Sequence, residues 1–325
     1  MQTMDMFSNI LSSFIEPTQL SQFINFKVTF LSIIIESLPF LLLSVFVSSL
    51  IHQFINAETI YKLLPKRKIY GIIPACFFGI LLPVCDCGTV PIARSLVVKG
   101  VPLYLVIPFM FSAPIINPVT VLATHYAFTP HVSMVYLRLG MAFFIACFTG
   151  WMISLLFGES KELNRHTQFY AECSCTCADN IESSNFFLKL RNTLYGACDE
   201  FFSMGKYLIL GAMIGALVQN FVPRSSLLGV GQNNILSILS MMLFGFGISV
   251  CSSADAFIAS SFATSFTSGS LVAFMAFGPM IDVKNTLMLL SAFKFRFVSL
   301  LIIITIGFCI TGAVLINIVS GGKII

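Results

Sequence analysis

Pro83-Val84-Cys85-Asp86-Cys87-Gly88-Thr89-Val90-Pro91 sets two thiols and a carboxylate, bracketed by Pro and Gly, in a region without charge from Ile69 to Val84. Pro removes a backbone donor and Gly weakens a helix, so a helix entering this stretch is predicted to open and leave backbone groups free. A carboxylate at membrane depth costs about 2.5–3.5 kcal/mol on insertion scales and is normally kept for a pathway or a site. Read outward from here, the chain is predicted to be a transporter with a binding site at a helix break.

Composition agrees with that class. Of 325 residues 57% are hydrophobic and 10% charged, and Phe occurs 34 times. A soluble domain carries about 25% charged residues, so these values describe a polytopic membrane protein. The 18 basic and 14 acidic residues leave too small an excess for a nucleic-acid partner. Residues 1–25 mix Asp5, Glu16 and Pro17 with short apolar runs, which does not read as a cleavable signal, so the first span is expected to direct insertion. Several of the ten Cys lie in apolar segments, which speaks against a secreted disulfide framework.

Four apolar runs follow one another in the first part. Val28 to Phe54 holds Glu36 and Pro39, and Lys62, Lys66, Arg67 and Lys68 then form the densest basic loop, expected on the cytoplasmic side. Ile69 to Val98 contains the Cys-Asp-Cys break, and Lys99-Gly100 is a turn. Val101 to Ala127 is broken by Ser112-Ala113-Pro114-Ile115-Ile116-Asn117-Pro118, and residues 134–157 form an ordinary span. Gly158 to Arg191 is hydrophilic and carries Cys173, Cys175 and Cys177 near His166, a thiolate run that could take a soft metal.

The pattern then restarts. Gly245 to Asp255 aligns with Gly79 to Thr89, setting Cys251 over Cys85. Gly269-Ser270 reads as a turn, and Phe277 to Asp282 matches the Ala113–Asn117 break, with Pro279 over Pro114 and Asp282 over Asn117. Residues 297–318 form the last span. The expected organisation is an all-α membrane protein of about eight transmembrane helices in two tandem four-helix repeats with discontinuous helices. Its segments are an N-terminal stretch at 1–27, a repeat at 28–157, a Cys-containing linker at 158–194 and a second repeat at 195–325. Four crossings per half make the repeats parallel; one miscounted segment would make them inverted.

Paired breaks at corresponding places in two halves point to a midplane transport site. The predicted solute-binding set is Cys85, Asp86, Cys87, Gly88, Pro114, Asn117, Cys251, Asp255 and Asp282. Asp282 has Lys284 two residues on, whereas Asp86 and Asp255 have no partner nearby in sequence, which suits cation contact or proton carriage. Arg138, Lys294 and Arg296 read as cations snorkelling at span ends. Cys76, Cys147, Cys198 and Cys309 read as small hydrophobes. Cys85, Cys87 and Cys251 together suit a soft cation or trivalent metalloid.

Glu36-x-x-Pro39-Phe40, Pro83-x-Cys85-x-Cys87-Gly88-x-x-Pro91 and Ala113-Pro114-x-x-Asn117-Pro118 resemble a predicted-permease family that includes the organoarsenical efflux permeases. The likeness covers most of 28–157 and 195–318. It implies a bacterial inner-membrane permease, not an enzyme, with no cofactor. Some bacterial members are described as one subunit of a two-component membrane permease complex, which implies a second membrane subunit beside the solute and the lipid bilayer. Two other classes compete on residues alone: an ion channel with the breaks as its filter, and a membrane thiol-redox protein using Cys85 and Cys87.

Overall fold

The computed structural model describes residues 17–54, 68–81, 84–129, 131–157, 186–221 and 234–321, all helices and short connections with no strand among them. The basic residues Lys62, Lys66 and Arg67, Pro83, and the linker cysteines Cys173, Cys175 and Cys177 lie outside the described residues.

Among the described residues six helices precede the linker: α1 (Pro17–Phe54), α2 (Lys68–Leu81), α3 (Asp86–Val98), α4 (Leu103–Ser112), α5 (Pro118–Ala127) and α6 (Ser133–Leu156). Six more of the described helices follow it: α7 (Phe186–Phe221), α8 (Asn234–Ile248), α9 (Ala254–Ser261), α10 (Ser268–Met280), α11 (Val283–Ala292) and α12 (Phe295–Ser320). Apolar runs of this length form helices because a bilayer offers the backbone no other hydrogen-bond partners. Among the described residues five stretches are long and apolar enough to cross a membrane: Gln22–Leu50, Ser133–Leu156, Thr193–Asn220, Ser268–Ala292 and Phe295–Ser320.

Burial sorts these five into two kinds. Ser268–Ala292 is buried along most of its length, whereas the other four leave most of their residues at least partly exposed, so α10 and α11 run through the interior and α1, α6, α7 and α12 form the wall. Every residue of α4 and of α10 is buried, which makes them the two central rods. The wall helices turn Leu31, Ile35, Leu155, Ile303 and Ile318 outward, as a lipid-facing surface requires.

Within each half the packing follows one scheme: α4 lies against α2 and α6, and α10 against α8 and α12. Between halves, α1 packs on α7 and α6 on α12. The short helices cross over, α3 meeting α11 and α5 meeting α9. Polar side chains pin α1 to its neighbours. Ser48 Oγ donates to the Pro91 carbonyl at 3.3 Å, Ser95 Oγ donates to the Ser48 carbonyl at 3.1 Å, and Ser49 Oγ donates to the Thr193 carbonyl at 2.9 Å. Such bonds count in a bundle where lipid removes the hydrophobic drive between helices.

The turn before α10 falls earlier than Gly269-Ser270. Residues 262–267 make it, Thr267 caps the helix, and Gly269 sits in the first turn with its N–H donating to Asn317 Oδ1 at 2.8 Å. The glycine there serves contact with α12 rather than chain reversal.

Candidate functional site

The chain enters α3, α5 and α11 from an extended residue and α9 from Ser253, which is already helical, and these four entries gather beside α1. The helices after the Pro114 and Pro279 breaks are capped by side chains of matching position. Asn117 Oδ1 accepts from the Val119 N–H at 3.0 Å at the start of α5, and Asp282 Oδ1 accepts from the Asn285 N–H at the start of α11. These are ordinary N-caps that satisfy an orphan donor. At α3 the capping residue is Cys85, which makes no side-chain cap bond, and Asp86 opens the helix.

A cavity of about 390 Å³ lies among these entries. From the first half it is lined by Glu36 of α1, by Cys85, Asp86 and Cys87, and by Asn117; from the second half it is lined by Ser249, Cys251, Ser252 and Lys284. Of the nine residues predicted for the site, Cys85, Asp86, Cys87, Asn117 and Cys251 line it. Gly88, Pro114, Asp255 and Asp282 stand behind the wall, each with a supporting contact. A Cβ at Gly88 would come within 2.8 Å of the Ser44 Cβ, so the glycine lets α3 close on α1. The Pro114 carbonyl accepts from Thr120 Oγ1 at 3.0 Å, and that hydroxyl lies 3.2 Å from Ser252 Oγ of the other half.

The two carboxylates read as unpartnered both have a cation, contributed from the opposite half. Lys284 Nζ lies 3.1 Å from Asp86 Oδ2 and 3.7 Å from Asp282 Oδ2, with all three side chains buried. Arg138 Nη2 donates to Asp255 Oδ2 at 2.9 Å and to the Ser252 carbonyl at 2.8 Å, while Nη1 donates to Thr124 Oγ1 at 2.8 Å. Arg138 is therefore not a snorkelling cation. It is 1% exposed, because the start of α6 faces α9 across the bundle rather than lipid. Sequence neighbours could not reveal either pair, since the partners are 198 and 117 residues apart.

Three further features were missed as site residues. Glu36, one of the acids noted within the spans, lines the cavity and accepts from Cys251 Sγ at 2.6 Å. Lys284, the sequence neighbour of Asp282, keeps that acid as a contact at 3.7 Å and also reaches into the cavity. Ser249 adopts φ 47, the left-handed region that a non-glycine residue enters at a cost, directly before the Cys251 stretch. No sequence signal marks that strain.

The thiols divide by position. The ligand atoms of Cys85, Asp86 and Cys87 lie within 4.8 Å of one another, a set that could hold a soft cation. Cys251 is half-buried in the cavity wall opposite them. Cys309 is buried with only a long contact to the Ala273 carbonyl, as a packing residue would be. Cys76 and Cys147 do not stand alone: their sulfurs are 3.7 Å apart between α2 and α6.

A family model described as a predicted permease matches residues 22–318. The UPF0718 protein YcgR of Bacillus subtilis is 41% identical over 300 residues, covering 92% of this chain and 99% of that protein. A Streptococcus mutans protein named as a subunit of a two-component membrane permease complex is 39% identical over 271 residues, covering 83% of this chain and 87% of its own length. No solved structure matches.

Proposed function

The chain belongs to the predicted-permease family, which makes it a non-enzymatic membrane transporter, and from that premise we propose a secondary carrier of the efflux type in the bacterial cell (inner) membrane. Its cargo is a small solute, with a soft metal or metalloid species the class that the cavity thiols suit. One observation carries this reading: a single cavity of about 390 Å³ is lined from both halves of the chain, at the entries of α3, α5 and α9 and at Lys284 in the first turn of α11.

The two-repeat organisation fits the order of elements. Helices of 38, 14, 13, 10, 10 and 24 residues precede the linker, and helices of 36, 15, 8, 13, 10 and 26 follow it. Among the described residues five stretches are long enough to cross; counting α2 with α3, α4 with α5 and α8 with α9 as discontinuous crossings brings the total to eight, four in each half. The crossed contacts of α3 with α11 and α5 with α9 support a site shared between repeats, since each opening of one half then meets a helix entry of the other. Dipole ends and free backbone groups at such entries favour polar or charged solutes. The name of the Streptococcus mutans relative supports a second membrane subunit as partner.

The test has two steps. A strain lacking the protein is screened for sensitivity to soft metals, metalloids and small organic solutes, and the purified chain is then reconstituted for flux. Saturable, gradient-driven export is expected. Asp86→Asn should lower it by about tenfold or more, the worth of one buried charge-assisted contact, with membrane levels unchanged. Linear, non-saturating flux would make the protein a channel instead.

A further inference from the structure

We propose that Lys284 is a built-in competitor of the cargo: its ammonium holds the cation position at Asp86, and the cargo that displaces it is a thiophilic metal cation bound by Cys85, Asp86 and Cys87. The inference rests on the transport reading above and specifies how its site is loaded and emptied.

Four observations converge on it. The Cys85, Asp86 and Cys87 ligand atoms already lie within 4.8 Å of one another, close enough to share one ion. Asp86 is 1% exposed and its Oδ1 has no hydrogen-bond partner among the described residues, so the carboxylate retains an unused, desolvated acceptor at the cavity. A buried orphan of this kind is costly unless something fills it. Lys284 Nζ sits 3.1 Å from the other oxygen of the same carboxylate. Finally, the Lys284 backbone is held in place while its side chain lines the cavity. A Cβ at Gly211 of α7 would lie 2.6 Å from Lys284 Cα, so α11 is pressed on α7 at this residue and only the side chain has room to leave.

Charge and ligand type select the cargo. Asp86 and Asp282 share one lysine, which leaves the trio a net negative charge that attracts a cation. Hard cations such as Ca²⁺ require six to eight oxygens, whereas two sulfurs beside one carboxylate favour a soft ion. As it binds, each ligating thiol releases its proton to cavity water. Lys284 then keeps its second acid, Asp282, as a resting partner. Because the lysine is tethered, its effective concentration at Asp86 stays high and its return expels the ion. Competition therefore weakens binding but speeds release, which a carrier needs.

Cd²⁺ serves as the probe, read by thiolate-to-metal charge-transfer absorption on the full chain in detergent. The signal of a Cys85→Ser/Cys87→Ser variant is subtracted to remove other thiols. Lys284→Gln should bind Cd²⁺ about tenfold tighter and release it more slowly, while Lys284→Arg restores the competition. Should Lys284→Gln fail to fold, Lys284→Gln/Asp282→Asn keeps the net charge of the trio and should show the same tightening. Equal or weaker binding in the folded variant overturns the competition, as does a Cd²⁺ signal that the serine variant leaves undiminished. Cd²⁺ flux into proteoliposomes separates the two readings. Flux with no change of affinity in Lys284→Gln removes the competitor and keeps the carrier. Tighter binding without wild-type flux supports the competition and removes the carrier.

Discussion

Arg138 and Asp255 form an ion pair of 2.9 Å between the two halves of the chain, with side-chain exposures of 2% and 4%. Its two ends are not equivalent. Arg138 has two other acceptors, Thr124 Oγ1 and the Ser252 carbonyl, while Asp255 Oδ1 has no hydrogen-bond partner among the described residues. Either change strands a buried charge, but the guanidinium left by neutralising the acid keeps two of its three hydrogen-bond acceptors, whereas the carboxylate left by removing the arginine loses its charged donor. Arg138→Gln should destabilise by about 3–5 kcal/mol, and Asp255→Asn by about 1–3 kcal/mol. Thermal unfolding in detergent reads both; a larger loss in Asp255→Asn would refute the assignment.

Gly211→Ala tests the fit of α7 on α11. The added methyl would meet the Lys284 backbone at 2.6 Å, and backbone cannot yield as a side chain does. Overpacking of this kind costs about 1–3 kcal/mol, and here the displaced residue holds Asp86. Flux should fall along with stability. Gly140→Ala, where nothing lies within 4 Å of the new methyl, should change neither.

The membrane class and the approximate positions of the helices were legible because apolar run length reports them directly. The interruptions at Cys85 and Asn117 were legible too, since Pro, Gly and Asn each carry a local signal. What stayed hidden was pairing at a distance. Asp86 and Asp255 looked alone because nothing in a one-dimensional string places α11 beside α3, or α6 beside α9. Arg138 misled for the same reason, since a cation near a helix start is polar whether lipid or protein faces it. Asp282 was legible as a polar residue of a break but not as a cap, since capping is a matter of φ and ψ. The Cys76–Cys147 contact shows the converse, two residues individually bland that packing brings together.

Thiol accessibility should follow the cavity wall. Cys251 and Cys85 are half-buried and line it, whereas Cys309 is fully buried between α10 and α12. In single-cysteine variants, a small membrane-permeant maleimide should label Cys251 and Cys85 and spare Cys309. Glu36→Gln should alter the rate at Cys251, whose sulfur contacts that carboxylate, and leave Cys85 unaffected. Equal labelling of Cys309 and Cys251 would mean that the cavity does not admit solute.

Serine replacement separates sulfur as ligand from sulfur as filler. Ser keeps the shape of Cys but replaces a polarizable, deprotonatable donor by a hard hydroxyl. At Cys309 the sulfur has only a 3.8 Å contact to a carbonyl, so Cys309→Ser should cost a modest amount of packing and leave resistance intact. At Cys85 and Cys87 the sulfurs lie within 4.8 Å of each other and of the Asp86 carboxylate, so each single change should weaken resistance to a soft metal or metalloid and the double change should abolish it. Cys251 faces them from the other half and belongs with this group if the cargo bridges the cavity, which Cys251→Ser alone decides. Expression and thermal stability are measured beside resistance, because a packing role would lower all three together. Full resistance in the Cys85→Ser/Cys87→Ser protein would leave Asp86, Asn117 and Glu36 as the residues that read the solute, and its class would then be hard or organic rather than thiophilic.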